Sequence, residues 1–309
     1  IEGSILDEEK MKRAFSFKPH IVFHLAAVHG GRGYISTHPA DVCSILAIDH
    51  HVFEACCISD VDRVIYASSA CVYPPSLQAK TGSTYLLREE DSDPSNLDGY
   101  LSADLEYGWS KLMGEMQLLA FIKQYGLKGC SVRFVTVYGP RENETHAIIA
   151  LIYKAFERMD PYVIWGDGNQ ERDFTYVDDI VEGTLLAGQK ITDGSPVNLG
   201  TGRRYKIREV AEMIFKIMGW HPKRIIFDTT KPVGVISRAL DITRAKKVLG
   251  WKPKYSLEDG LRKTIEWYVM THSRKGFVDK KRLFTLNLSL IHISEPTRPR
   301  LISYAVFCL

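Results

Sequence analysis

No apolar run in the 309-residue chain approaches the ~18 residues that a membrane-spanning helix needs. The six cysteines (Cys43, Cys56, Cys57, Cys71, Cys130 and Cys308) form no CxxC pair, so neither a zinc site nor a dithiol redox motif is indicated, and no metal is expected. No secretory signal opens the chain. In a chain of this length without one, the thiols are expected to be reduced and the protein cytoplasmic. Charge of one sign is not in excess: 40 Lys and Arg stand against 37 Asp and Glu, a net +3. That balance argues against a nucleic-acid binder, and neither nucleic acid nor a membrane is expected as a partner. Internal repeats and low-complexity linkers are also lacking. What is present is ordinary globular composition, 45% hydrophobic and 25% charged, in a chain of about two domains' length.

The first half alternates strand and helix patterns. Ile21–Ala27, Arg63–Ser68 and Ser131–Tyr138 are short apolar runs rich in β-branched and aromatic residues, as in buried parallel strands. Pro39–Ser59 and Leu105–Tyr125 carry apolar residues at helical spacing. Strand–helix–strand alternation predicts a parallel α/β sheet. After Tyr138-Gly139-Pro140 helices dominate, over His146–Met159, Val177–Gln189, Ile207–Met218 and Leu257–Thr271. Short strands are expected between them at Tyr162–Trp165, Val197–Leu199 and Arg224–Phe227.

Both ends are unusual. The chain opens on Ile1-Glu2-Gly3. Leu288–Arg298 reads LSLIHISEPTR, which resembles a translated transposon sequencing adapter residue for residue. Residues 287–309 are therefore expected to be an artefactual tail and carry no fold argument.

Chemistry is suggested first by Tyr107-Gly108-Trp109-Ser110-Lys111. Tyr107 and Lys111 stand at i and i+4, on one face of a helix. An ammonium beside a phenol favours the phenolate, and such a tyrosine can give or take a proton at a sugar hydroxyl. A solvated helix face fits the same spacing. Ala67-Ser68-Ser69-Ala70-Cys71-Val72-Tyr73-Pro74 follows a predicted strand, where open α/β sheets place ligands. Ser69 there is either a hydroxyl sharing the oxygen that Tyr107 protonates or part of a serine-rich turn. Cys71 fits either a reactive thiol or a small buried apolar residue. His146 is either an acid/base or a helix-start surface residue. Arg172 and Arg238 can clamp a diphosphate or lie on the surface.

Further short matches accompany these: His24-Leu25-Ala26-Ala27, Trp165-Gly166-Asp167-Gly168, Arg172-Asp173-Phe174 running on to Asp178-Asp179, Asn198-Leu199-Gly200, and Leu249-Gly250-Trp251-Lys252-Pro253. From about Gly3 to about Tyr268 the chain resembles the extended short-chain dehydrogenase/reductases that modify nucleotide sugars, the NAD-dependent epimerase/dehydratases. Gly30-Gly31, the cysteine of SSACVYP and Arg172-Asp173-Phe174 narrow the likeness to the GDP-L-fucose synthase and GDP-mannose 3,5-epimerase groups.

The resemblance implies a Rossmann-like, doubly wound parallel sheet, truncated at its N-terminus, with a smaller, mainly helical substrate lobe. Residues 1–140 would form the dinucleotide-binding domain, and 141–286 mainly the substrate lobe with some return to the first. It implies NAD or NADP held by Asp7, Leu25, Ala26, Ala27, Ala67 and Ser68 together with Tyr107 and Lys111. It gives Ser69, Cys71, Tyr107, Lys111 and His146 catalytic roles, and Gly30, Gly31, Arg172 and Arg238 contacts to substrate. Tyr107 and Lys111 would serve hydride exchange at sugar carbon 4, and Cys71 with His146 would epimerise carbons 3 and 5 of a 4-keto sugar. Thr136 departs from the asparagine usual in relatives before Tyr-Gly-Pro. Gly30-Gly31-Arg32-Gly33 nearly fits GxGxxG but has Ser36 in the last place, and the HLAA and SSACVYP segments have the spacing of fourth and fifth strands. The phosphate loop, and the residue that selects NAD or NADP, are therefore expected upstream of residue 1, and the chain as written is expected to be an inactive fragment that is poorly soluble or binds no NAD(P). The favoured function is a GDP-L-fucose-synthase-like epimerase/reductase acting on a nucleotide-diphosphate sugar, preferably a GDP-sugar, as a homodimer. Alternatives are a GDP-mannose 3,5-epimerase-like enzyme, a single-carbon 4-epimerase or dehydratase, and an inactive nucleotide-sugar binding protein.

Overall fold

A computed structural model of the chain describes residues 3–93 and 102–272. The expected artefactual tail at 287–309 lies outside the described residues.

Along the chain, α1 (Glu8–Phe15) precedes β1 (Ile21–His24), and α2 (Arg32–Thr37), α3 (Pro39–Cys43) and α4 (Ile45–Ile58) lead to β2 (Arg63–Ser69). Next come α5 (Leu105–Tyr125), β3 (Gly129–Phe134) and β4 (Thr136–Tyr138). The second half runs α6 (Ala147–Phe156), β5 (Tyr162–Trp165), β6 (Glu171–Arg172), β7 (Phe174–Tyr176), α7 (Val177–Lys190), β8 (Asp193–Leu199) and β9 (Tyr205–Lys206). It closes with α8 (Ile207–Met218), β10 (Ile225–Asp228), β11 (Ser237–Arg238) and α9 (Leu257–His272).

The main sheet has the order β1-β2-β3-β8, every pair parallel. Side chains on a strand alternate faces, and β2 shows what that does here. Val64 and Tyr66 join Ile48, Val52, Phe53, Leu118 and Phe121 in one core under α4 and α5. Ile65, between them, joins Cys130, Val132, Ile180, Ala187 and Val197 in a second core under α7. A strand buried on both faces reads as a continuous apolar run. The result is a Rossmann-like sheet wound on both sides. A third core unites Tyr138, Ile149, Tyr162, Phe174, Ile214, Leu261 and Ile265, from α6, α8, α9 and the short strands around them. Among the described residues, no helix is long and apolar enough to cross a membrane.

Three sequence expectations need correction. The run 131–138 is not one strand: β3 pairs with β2 and β8, whereas β4 pairs with β7 in a separate sheet. The chain crosses at Val135 from the main sheet to the β4–β7 pair, so an unbroken apolar pattern serves two partners in turn. The run 39–59 breaks at Ser44, whose hydroxyl donates to the Asp41 carbonyl at 2.6 Å. A hydroxyl bonded locally to the backbone competes with the helix ladder. The strand at residue 21 stops at His24, where the Leu25 amide donates to the Phe23 carbonyl in a tight turn.

Candidate active site

Ser69 ends β2, and its extended backbone turns into a short 3₁₀ segment, Ala70–Val72. Its hydroxyl accepts the Cys71 amide at 3.1 Å, which curls the chain so that Cys71 turns back against α5. The Asp104 amide closes this contact by donating to the Cys71 carbonyl at 2.8 Å. Gly108 supplies the room: a β-carbon there would meet the carbonyl carbon of Cys71 at 3.0 Å and its oxygen closer still. The glycine inside the YxxxK motif is thus what admits Cys71 to the helix.

Tyr107 hydrogen-bonds Ser69. Burial, and then the neighbouring Cys71, push its phenol up, while the bond to Ser69 opposes. This corrects the expectation that Lys111 lowers it. The Lys111 ammonium instead donates to the Ala67 carbonyl at 2.9 Å and lies 4.8 Å from the Tyr66 ring centroid. Burial lowers the Lys111 pKa, and Asp49 and Glu115 counter that. Asp49 is fully buried; it accepts from the Tyr66 hydroxyl at 2.6 Å and pairs with His24 Nε2 at 2.7 Å. Gly114 leaves space for this pair on the helix face. Farther along α5, Glu115 accepts Ser68 at 2.5 Å and forms a two-pronged pair with buried Arg133, at 2.9 and 2.7 Å. Arg133 also donates to the carbonyls of Glu89 and Ser92, tying the 70–93 segment to the sheet.

Arg238 arrives from β11. Its Nη1 donates to Cys71 Sγ at 3.2 Å, its Nη2 pairs with Asp104 at 3.0 Å, and its Nε donates to Gln78 at 2.5 Å. Asp104 also pairs with Arg32 at 2.9 Å. Asp104 occupies the N-cap position of α5 but makes no side-chain capping bond, because both its carboxylate oxygens hold arginines. Burial acts to raise its pKa, but Arg238 and Arg32 outweigh it and hold the carboxyl below its usual value. Arg172 donates to the carbonyls of Glu171 and Val233, at 2.8 and 2.6 Å. Burial, and then Arg238, depress its pKa to about 9. Guanidiniums that disfavour one another in a buried setting favour a bound anion. The flanking acids serve the scaffold. Glu171 accepts the Ser237 hydroxyl and the Gly82 amide, while Asp173 accepts the amides of Thr201, Gly202 and Leu240.

Ser69, Cys71, Tyr107, Lys111, Arg172 and Arg238 thus come together. His146 is placed otherwise: it stands at the N-cap position of α6, with Nδ1 3.1 Å from Glu142 and its ring 6.1 Å from that of His29. The contacts of Cys71 and those of His146 do not overlap, and His29 stands between the two groups in its interactions. Burial, then His146, then Lys111 lower the His29 pKa. Gly30 and Gly31 pack tightly, Gly31 against the Thr145 backbone beside His146. Leu25, half exposed, and Ala26 and Ala27 follow β1, while Ala67 and Ser68 end β2. Asp7 caps α1, accepting the amides of Glu9 and Lys10.

Sequence reasoning missed His29, Arg32, Asp49, Gln78, Asp104, Glu115 and Glu142. Glu115 had a signal, since it continues the Tyr107–Lys111 stripe by one more step of four. Asp104 reads locally as an ordinary helix cap.

A family model described as the NAD dependent epimerase/dehydratase family matches residues 1–200. GDP-mannose 3,5-epimerase 1 of Oryza sativa subsp. indica is 35% identical over 252 residues, covering 80% of this chain and 64% of the relative, so the chain spans under two thirds of that relative's length. GDP-L-fucose synthase of Sinorhizobium fredii is 33% identical over 272 residues, covering 85% and 83%. Among solved structures, UDP-glucose 4-epimerase of Thermotoga maritima, crystallised with UDP-glucose, superposes with a TM-score of 0.78 at 30% identity, covering 88% and 84%.

Proposed function

The chain belongs to the NAD dependent epimerase/dehydratase family, and from that premise we propose that it works as a nucleotide-sugar epimerase/reductase which inverts carbons 3 and 5 of a GDP-linked 4-keto sugar. The observation that carries this reading is the thiol: Cys71 Sγ lies 3.2 Å from a guanidinium nitrogen, beside the Tyr107–Ser69 pair. Exchange at carbon 4 alone needs only the hydroxyl pair. Inverting a carbon next to a ketone needs a base on one face and an acid on the other. A thiol that meets the Arg238 guanidinium can serve as one of them, and His146 can serve as the other.

The residues present fit the nicotinamide end of NAD or NADP. The half-exposed Leu25 leaves an apolar patch beyond β1, and buried Lys111 and Tyr107 stand beside the end of β2. When bound, the cofactor supplies hydride exchange at carbon 4. Tyr107 moves the proton of the carbon-4 oxygen, Ser69 shares that oxygen, and Lys111 adds positive charge. Arg172 and Arg238 are both candidate diphosphate contacts: Nη1 and Nη2 of Arg172 donate to the Glu171 and Val233 carbonyls, while all three side-chain nitrogens of Arg238 are engaged by Gln78, Cys71 and Asp104.

Exchange at carbons 3 and 5 can be measured without cofactor turnover. The protein is incubated with a GDP-linked 4-keto-hexose in D₂O, and deuterium at each carbon is read by NMR. Label at both carbons is expected. Folded protein that binds GDP yet incorporates no label would remove the assignment in favour of a binding role.

We further propose a homodimer through α4 and α5. Leu46, Trp109 and Met113 are exposed there and line a hollow of about 310 Å³ with Cys43, Ala103 and Leu105.

A further inference from the structure

Glu142 lies four residues before His146, in the turn that enters α6. Its Oε1 is 3.1 Å from His146 Nδ1, and the buried carboxyl also meets the Gly139 backbone amide. Its side chain is only 11% exposed, against 30% for the imidazole. Burial pushes the Glu142 carboxyl up, and the contact with His146 opposes this. The arrangement is locally costly, since burial penalises the charged form of a carboxylate. The turn is nevertheless braced around it. Asn143 Oδ1 accepts both the amide and the hydroxyl of Thr145, at 2.9 and 2.8 Å, and the His146 amide donates to the Asn143 carbonyl at 3.0 Å. The adjoining acid does not compete, as Glu144 is 3.5 Å from His272.

We propose that Glu142 is the positioning residue for His146, holding Nδ1 so that Nε2 is the atom that gives and takes a proton at the sugar carbon. This rests on the epimerase reading above. An ionised carboxylate can only accept, so the imidazole carries its proton on Nδ1 and offers a lone pair at Nε2. When Nε2 takes a proton from the carbon next to the ketone, the imidazolium forms directly against the Glu142 charge, which stabilises it. The His29 ring lies 6.1 Å from that of His146.

Two measurements on the full chain test this. Long-range ¹H–¹⁵N NMR reads the tautomer of His146 directly. The Nδ1–H form is expected in the wild type and a mixture of tautomers in Glu142→Gln, whereas an Nε2–H wild type would overturn the proposal whatever the activity. Deuterium exchange into the GDP-linked 4-keto-hexose then reads function. In Glu142→Gln, kcat is expected to fall by about 10-fold or more, since loss of the carboxylate behind an acid/base imidazole can cost up to about 10⁴, with Glu142→Asp recovering part of it. KM should stay within about two-fold, since the contact acts on the reacting state and not on binding. Unchanged kcat in Glu142→Gln, or a loss carried wholly by KM, would overturn the proposal. A wild type with the expected tautomer but no exchange would instead sink the epimerase reading and leave the Glu142–His146 geometry standing.

Discussion

A β-carbon on Gly108 would collide with the carbonyl oxygen of Cys71. Helix propensity and steric room therefore predict opposite signs for Gly108→Ala. Propensity alone would stabilise by about 1 kcal/mol. The clash is with backbone, which cannot swing aside, and overpacking of this kind costs about 1–3 kcal/mol. We expect a lowered Tm and an exchange rate reduced about ten-fold or more, because Cys71 and Tyr107 move apart. A raised Tm with full activity would show that the Cys71 loop yields freely.

Cys71→Ser should abolish deuterium exchange at carbons 3 and 5, with a loss of about 100-fold or more for removal of an acid/base group. Nucleotide binding should persist, because Arg172 is left in place. Unchanged turnover would exclude Cys71 from the chemistry.

Asp104 makes stability depend on pH in a defined direction. Its folded-state pKa is lowered from 3.8 by Arg238 and Arg32 against the opposing effect of burial. A carboxyl with a depressed folded pKa contributes stability that is present above its unfolded pKa and lost as pH falls through the folded one. Asp104→Asn should accordingly be less stable than wild type at neutral pH, by a constant margin down to about pH 4, with the two curves converging in more acidic solution. Urea unfolding across the range measures the gap. A margin that widens on acidification would contradict the ion-pair account.

The Arg133–Glu115 pair is almost wholly buried, so removing one member strands the other. Glu115→Gln and Arg133→Met should each destabilise by about 3–5 kcal/mol, and the double substitution by less than the sum. Additive losses in a double-mutant cycle would mean that the two charges do not depend on one another.

Trp109→Glu places a charge on the exposed face of α5. Sedimentation velocity should find a dimer in the wild type and a monomer in this variant, with secondary structure intact. A wild-type monomer would leave that face without its proposed partner.

Much of the scaffold is legible without coordinates, because it rests on periodicity. The apolar spacing of 105–125 predicts α5 to the residue, and the same holds for Ile207–Met218. Where one apolar run serves two sheets, as at 131–138, periodicity carries no sign of the change of partner. The site divides in the same way. Ser69 and Cys71 lie on one short segment, and Tyr107 and Lys111 on one helix turn, so motif spacing reveals them. The contacts that organise them span the chain: Arg32 reaches Asp104 across 72 positions, Asp104 reaches Arg238 across 134, and Arg238 reaches Cys71 across 167. A local pattern cannot state such pairings. Asp104 in particular imitates a helix cap in sequence and abandons that role in space.

Glu171, Arg172 and Asp173 are consecutive, yet each has its own partners. Glu171 binds Ser237 and Gly82, Arg172 binds the Val233 carbonyl, and Asp173 holds the 201–202 turn. Their assignments follow from strict succession along the chain. A single inserted or deleted residue here would shift every side chain into its neighbour's place, sending an acid to where Arg172 lies near Arg238 and Cys71 and an arginine into a socket built for a carboxylate. Tolerance of length change should therefore be lowest at this stretch, even where exchange of one side chain for a similar one is survivable.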